Sequence, residues 1–389
     1  MKKMIKLSLV AAVAVAGLTT TATAGSLEDS IKDTTLKGQV TVGFQNNSYK
    51  NDGVTRSGHL GDKNQMEYDL DATFTTKVND TITFTSGIQA DHTVANRDET
   101  TNTNGSQAIT LTKLYFTAKT DVATVMVGKQ KQPTPFLDDE RGDGVVALVP
   151  AGPVTLAAGH ITGLLADQSI TAAAVIGSVG PVNASLWALD VTSGTTDATA
   201  AVLDSAGDTI TAATAAAVAP GVSGYSLNLN GTFGPVNVDL THSSLELDDT
   251  VGSEDESLTK LIVSGKVADV NLVAGYGMTN DNTVGGRSAG VDVTGDNDAK
   301  TNFRLDQLVL DNLNDADAIL VGASMTFGAT TVGANYLMVD LNTAGTSDAT
   351  ELDVNVKYAM SKNFSITGLY ADTDADLAGA TAVDTKHMD

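Results

Sequence analysis

The sequence predicts an all-β protein: a closed antiparallel transmembrane β-barrel of about 18 strands, with short periplasmic turns and long external loops. Three observations predict it. Apolar and polar residues alternate with a period of two along most of the chain. Short Gly/Pro corners alternate with long connections rich in Asn, Asp, Thr and Gly. After the N-terminal segment, no stretch stays apolar for the roughly 18 residues that a transmembrane helix needs.

Lys2, Lys3 and Lys6 form a basic start, Leu7 to Gly17 is an apolar core, and Ala22-Thr23-Ala24 is a small-residue cleavage site. Residues 1–24 are therefore a signal peptide, removed on export. Residues 25–34 follow as a short periplasmic segment, and 35–389 as the barrel. The chain carries 23 basic and 47 acidic residues, a net charge of −24. Such a surface repels phosphate, so nucleic acid is excluded as a partner and cations are favoured. There is no cysteine. That removes disulfides, thiolate catalysis and Cys-ligated metals.

From Val236 the chain reads V-N-V-D-L-T, from Tyr225 Y-S-L-N-L-N, from Met66 M-E-Y-D-L-D and from Leu352 L-D-V-N-V-K-Y. Lipid takes the Val, Leu, Tyr and Phe side, and a watery lumen takes the Asn, Asp and Thr side. Glu67, Asp69, Asp71, Asp239, Glu351 and Asp353 share polar rows and are placed in the lumen wall. The alternative for them is a solvated barrel rim.

The corners set the count. Short turns fall at 78–80, 120–122, 151–153, 178–181, 233–235, 267–269, 327–330 and 360–363. Gly-Pro-Val occurs at three of them, because Gly accepts unusual backbone angles and Pro fixes its own φ. Long polar connections lie between them, near 48–64, 92–107, 131–143, 163–168, 192–222, 247–256, 278–316, 341–349 and 373–382. Eight turns and nine loops give about 18 strands, each near the length of a tilted membrane strand. Asn302 to Ala316 has apolar residues near helical spacing and is expected on the loop side, as a short helix or an extra-long strand. Trp187 fits an interface anchor or a packed position equally well. The last residues, "TAVDTKHMD", open a final strand that is expected to be truncated or irregular.

Two segments carry a family resemblance. "MKKMIKLSLVAAVAVAG" followed by "SLEDSIKDTTLKGQVTVGF", and "VGKQKQPTPFLDDERGDGVVAL" from Val127 to Leu148, resemble the Campylobacter-type major outer membrane proteins. The resemblance implies an 18-stranded, homotrimeric, cation-preferring porin whose third loop folds inward, with calcium associated with the constriction. The chain departs from the family by ending on Asp389 instead of an aromatic residue.

The expected constriction loop is 131–143. Asp138, Asp139, Glu140 and Asp143 are assigned to its acidic side, and Lys129, Lys131 and Arg141 to the opposing basic side. The alternative is a solvated loop of mixed charge. Asp138, Asp139 and Asp143 are the best candidates for calcium. Asp372, Asp374 and Asp376 have a calcium-loop spacing, but Leu377 and Val383 stand where an EF-hand needs Gly and Glu. The five histidines show no paired metal or catalytic spacing, although His160 or His242 could supply half of a Ser/His pair.

The expectation is an outer-membrane general porin and not an enzyme. It conducts ions and small hydrophilic solutes passively, prefers cations, sits in outer-membrane lipid and requires no cofactor, calcium being the one candidate ligand. The rival is a secreted or surface-associated acidic β-rich adhesin or surface-layer protein. It predicts no segregation of short turns from long loops.

Overall fold

Alternating stretches become strands throughout a computed structural model of the chain. It describes residues 34–50, 63–94, 108–131, 134–137, 141–163, 168–196, 202–203, 209–211, 217–219, 221–247, 255–280, 300–301, 303–305, 308–310, 313–342, 348–375 and 383–388. The first half contains β1 (Thr35–Lys50), β2 (Lys63–Lys77), β3 (Ile82–Val94), β4 (Ala108–Lys119), β5 (Thr124–Lys131), β6 (Arg141–Ala151), β7 (Val154–Thr162), β8 (Ser169–Val179) and β9 (Val182–Val191). Four short pieces follow: β10 (Gly194–Thr196), β11 (Val202–Leu203), β12 (Thr209–Thr211) and β13 (Ala217–Ala219). The second half contains β14 (Val222–Phe233), β15 (Val236–Leu247), β16 (Glu256–Val267), β17 (Val270–Thr279), β18 (Ala316–Phe327), β19 (Thr330–Leu341), β20 (Ala349–Ser361), β21 (Phe364–Ala375) and β22 (Val383–Met388).

Strands β1 to β9 and β14 to β22 join one antiparallel sheet in chain order. β9 pairs directly with β14, so β10 to β13 are an excursion within one long connection, where they form two small ribbons. β22 pairs with β21 and also with Asn46 to Lys50 of β1.

The outer face inverts the rule for water-soluble proteins. Leu36, Val40, Val42 and Phe44 of β1 stand opposite Phe74, Leu70, Tyr68 and Met66 of β2, and all eight are exposed. The pattern continues through Leu240, Leu261, Ile319, Val332 and Val354. An apolar band of this extent is compatible with a hydrocarbon solvent and not with water. Aromatic residues edge it. Phe233, Phe327, Tyr358 and Phe364 sit by the short turns, and Tyr68, Tyr225 and Tyr276 near the long connections. The inner face is the one on which the connecting segments pack.

The expected corners are turns. Gly152, Gly180 and Gly234 each precede a proline and have φ of 65°, 60° and 62°. Proline cannot follow with positive φ, so a type I′ turn is excluded and the type II′ pattern remains. A Cβ on any of the three would meet nothing within 4 Å. The backbone angle, not crowding, therefore demands glycine. The β2–β3 corner works differently: Asn79 Oδ1 accepts the N–H groups of Thr81 and Ile82, both at 2.8 Å. At the β16–β17 corner Ala268 occupies the glycine position, with φ of 54°.

An L-residue with a Cβ pays about 1–2 kcal/mol at that angle. Replacing Ala268 with Gly should raise stability by about 1 kcal/mol, read as a higher urea midpoint in detergent micelles. An unchanged midpoint would contradict the turn assignment.

Candidate functional site

The inner face divides into sectors of opposite character. Around β1 to β4 it is polar. Gln39 and Thr41 stand opposite Asp71 and Asp69, and Asp71 stands opposite Gln89. A bulge between β3 and β4 falls at Gly87/Ile88. It lets Leu111 and Leu114 both remain on the exposed outer face while Thr112 and Lys113 turn inward. Lys113 Nζ donates to Thr73 Oγ1 at 3.0 Å, and Arg141 Nη1 donates to Gln89 Oε1 at 3.3 Å.

A second polar sector lies on β9, β14 and β15. Asn183 Nδ2 donates to Asn230 Oδ1 at 3.0 Å, and Asn230 Nδ2 to Asn228 Oδ1 at 2.7 Å. Asn228 Nδ2 then donates to Asp239 Oδ1 at 2.9 Å and to Thr241 Oγ1 at 2.8 Å. Amide groups pass hydrogen bonds along the wall toward one carboxylate.

From β6 to β9 the inner face is apolar. Val146, Ala157, Ile161, Ile170, Ala172, Trp187 and Leu189 are all buried there. Two residues of the connection after β5 cover part of this wall. Phe136 and Leu137, 0% and 1% exposed, belong to the same packed cluster as Ala157, Ile170, Ala172 and Trp187. The described residues 134–137 of the connection after β5 thus lie on the inner face because aromatic and aliphatic groups hold them there. Trp187 is not an interface anchor; it packs inward against the cluster.

A second segment also folds inward. Asn302 to Ala316, expected as a helix or long strand on the loop side, has no α-helix among its described residues, and strand begins only at Ala316, the first residue of β18. Arg304 and Val309 form an isolated antiparallel bridge, and the Leu310 N–H donates to the Phe303 carbonyl at 2.9 Å. The pieces 303–305 and 308–310 thus lie antiparallel, with Phe303, Leu308 and Leu310 buried. Phe303 lies over Gly275 and Gly277 of β17: a Cβ on Gly277 would come within 2.8 Å of its ring. Three polar contacts tie the segment to the wall. Lys260 Nζ donates to the Lys300 carbonyl, the Leu308 N–H donates to the Glu351 carboxylate, and Thr279 Oγ1 donates to the Leu313 carbonyl at 2.9 Å. The apparent helical spacing was the spacing of two antiparallel pieces that bury one side. A usable signal was present in the two glycines and the leucines on the inner rows of β16 to β19, where a water-lined wall would carry polar residues.

The residues expected at the constriction are only partly brought together. Lys129 pairs with Leu114 on one side and Asp143 on the other, and Lys131 pairs with Arg141. Lys129 and Asp143 are therefore neighbours in one cross-strand row, not charges facing each other across a gap. Asp143 is exposed and its backbone carbonyl accepts from Thr162 Oγ1 at 3.2 Å. Asp138, Asp139 and Glu140 lie outside the described residues. Among the described residues no three His, Asp or Glu side chains gather as a metal site.

Of the carboxylates assigned to the wall, Asp69 and Asp71 are half-buried on inner rows, as is Asp239. Glu351 and Asp353 are buried on the inner row of β20, and Glu351 touches the inward segment through Leu308. Glu67 pairs with Gly43 and Thr93, and its side chain lies outside the described residues. His160 Nδ1 bonds with Thr171 Oγ1 at 3.0 Å, and His242 sits between Tyr225 Oη at 3.2 Å and Thr259 Oγ1 at 2.8 Å.

Comparison with known proteins agrees with this architecture. Residues 1–185 match the family model of the Campylobacter major outer membrane protein. No curated protein matches the chain in sequence. Among solved structures, Pseudomonas aeruginosa OccK3 (OpdO) matches with a TM-score of 0.64 at 12% identity, over 93% of this chain and 96% of that one. The BenF-like porin from Pseudomonas fluorescens Pf-5 matches with a TM-score of 0.63 at 12% identity, over 92% and 97%. Pseudomonas aeruginosa OccK2 (OpdF), solved in complex with glucuronate, matches with a TM-score of 0.61 at 12% identity, over 92% and 96%. At such identity these likenesses show the fold, a porin-type β-barrel. The N-terminal match adds a likeness of residues 1–185 to the Campylobacter major outer membrane protein family, and together with the porin-type fold it supports an outer-membrane location.

Proposed function

We propose that the sheet closes into an 18-stranded barrel at the β1–β22 seam and works as a general porin. It conducts ions and small hydrophilic solutes down their gradients, without turnover and without an organic cofactor. The observation that carries this reading is the pairing of an exposed apolar outer face with a polar inner face on the same strands. Val40 and Val42 point out while Gln39, Thr41, Asp69 and Asp71 line the inside. Five-residue pairing of Asn46 to Lys50 with Asp384 to Met388 supports the seam. Residues 1–24 direct export, and the assembled form is a homotrimer.

Cation preference follows from fixed charge. The chain carries −24, and Asp69, Asp71 and Asp239 sit on inner rows. Carboxylates within low-dielectric walls raise the local concentration of cations and repel anions. OccK2 was solved with glucuronate, a carboxylate. The acidic lumen of this chain favours cationic and neutral hydrophilic solutes instead. The adhesin reading has no comparable support, since an exposed apolar band on a wall of paired strands serves no purpose in water.

Planar-bilayer recording of the detergent-purified protein tests the proposal. Stable steps should appear, with a reversal potential displaced toward that of K⁺ under a KCl gradient. The Asp71→Asn, Asp239→Asn double variant should move it toward zero. An anion-selective reversal potential would sink the charge account, and absence of steps would sink the channel. Native electrophoresis of unheated protein should show a trimer; a monomer would remove that part of the reading.

A further inference from the structure

Resting on the channel reading, we infer that Glu351 is a positioning residue. It latches the paired pieces 303–305 and 308–310 against the inner face of β16 to β20 and thereby sets the width of the passage. Three independent features of the wall converge on this segment.

The first is the carboxylate itself. Glu351 is 0% exposed, although it lies on an inner row where a water-filled channel would leave it solvated. Burying a carboxylate is costly unless donors replace its water. The Leu308 N–H supplies one such donor, through a charge-assisted bond from a residue 43 positions away. The second feature is Lys260, which holds the start of the segment at the Lys300 carbonyl. The third is the seat on β17. Gly275 and Gly277 leave room for the Phe303 ring, and a Cβ at 277 would also reach within 2.7 Å of Leu310 Cδ2. A carboxylate, an ammonium and a side-chain-free seat on three different strands all serve one stretch of chain. A segment held in this way occupies cross-section that would otherwise belong to water.

The latch makes a prediction that a purely structural role does not. Glu351→Ala should raise single-channel conductance about twofold and admit larger uncharged solutes in liposome swelling, while the folded, heat-modifiable band persists. Glu351→Gln keeps an oxygen for the Leu308 N–H and should restore wild-type conductance. Gly277→Val leaves Glu351 intact but drives Phe303 off its seat, and should widen the passage as Glu351→Ala does. If Glu351→Ala does not fold, Gly277→Val carries the test alone. Wild-type conductance in the folded Ala and Val variants overturns the latch. A Gln variant as wide as the Ala variant overturns the hydrogen-bond basis. Wild-type protein that never conducts overturns the channel reading instead.

Discussion

Everything in this chain follows from one constraint: backbone N–H and C=O groups that face hydrocarbon must be paired within the protein. Each unsatisfied group costs several kcal/mol in lipid. A single strand with about five bare donors and five bare acceptors would therefore cost tens of kcal/mol. That exceeds the whole stability of a typical domain, about 5–15 kcal/mol. Pairing every strand with its chain neighbours, and β22 back to β1, is the arrangement that avoids the cost. Tight turns follow from the same demand. Gly152, Gly180 and Gly234 reverse the chain within two residues, so pairing runs to the ends of the strands.

Once the outer face is given to lipid, the inner face decides function. It is not uniform. The β1 to β4 sector and the Asn228–Asp239 network are polar, whereas β6 to β9 present Ile161, Ile170, Trp187 and Leu189. Apolar wall left against water would cost about 1.5–3 kcal/mol per large side chain. Phe136, Leu137 and Phe303 remove such wall from water by folding inward. In the proposed channel, narrowing of the passage is thus a packing consequence before it is an electrostatic one. Asp71, Asp239, Lys113 and Arg141 stand on the polar sectors, and in the proposed channel they are the charges that face the remaining route.

Much of this was legible in the sequence, and the reasons are specific. Strand faces could be read wherever one side is plainly polar, as in V-N-V-D-L-T from Val236. Corners could be read because Gly-Pro leaves few backbone choices. Inward packing could not be read in the same way. In S-I-T-A-A-A-V-I-G, from Ser169 to Gly177, both rows are small or apolar, so period two says nothing about which side meets lipid. Trp187 and the 302–316 segment owe their positions to partners far away in sequence, Phe136 for one and Gly277 with Glu351 for the other. The charges of 129–143 suggested opposition by composition alone. Strand register instead makes Lys129 and Asp143 neighbours.

The central claim is that one side of each strand meets lipid and the other meets water. The natural absence of cysteine allows this to be measured residue by residue. Single cysteines at 236 to 240 of β15, in protein reconstituted into vesicles, would be exposed to a small water-soluble thiol reagent. Fast labelling at Asn237 and Asp239, with protection at Val236, Val238 and Leu240, is the predicted result. Equal labelling on both rows would mean a sheet solvated on both sides, and would contradict the account.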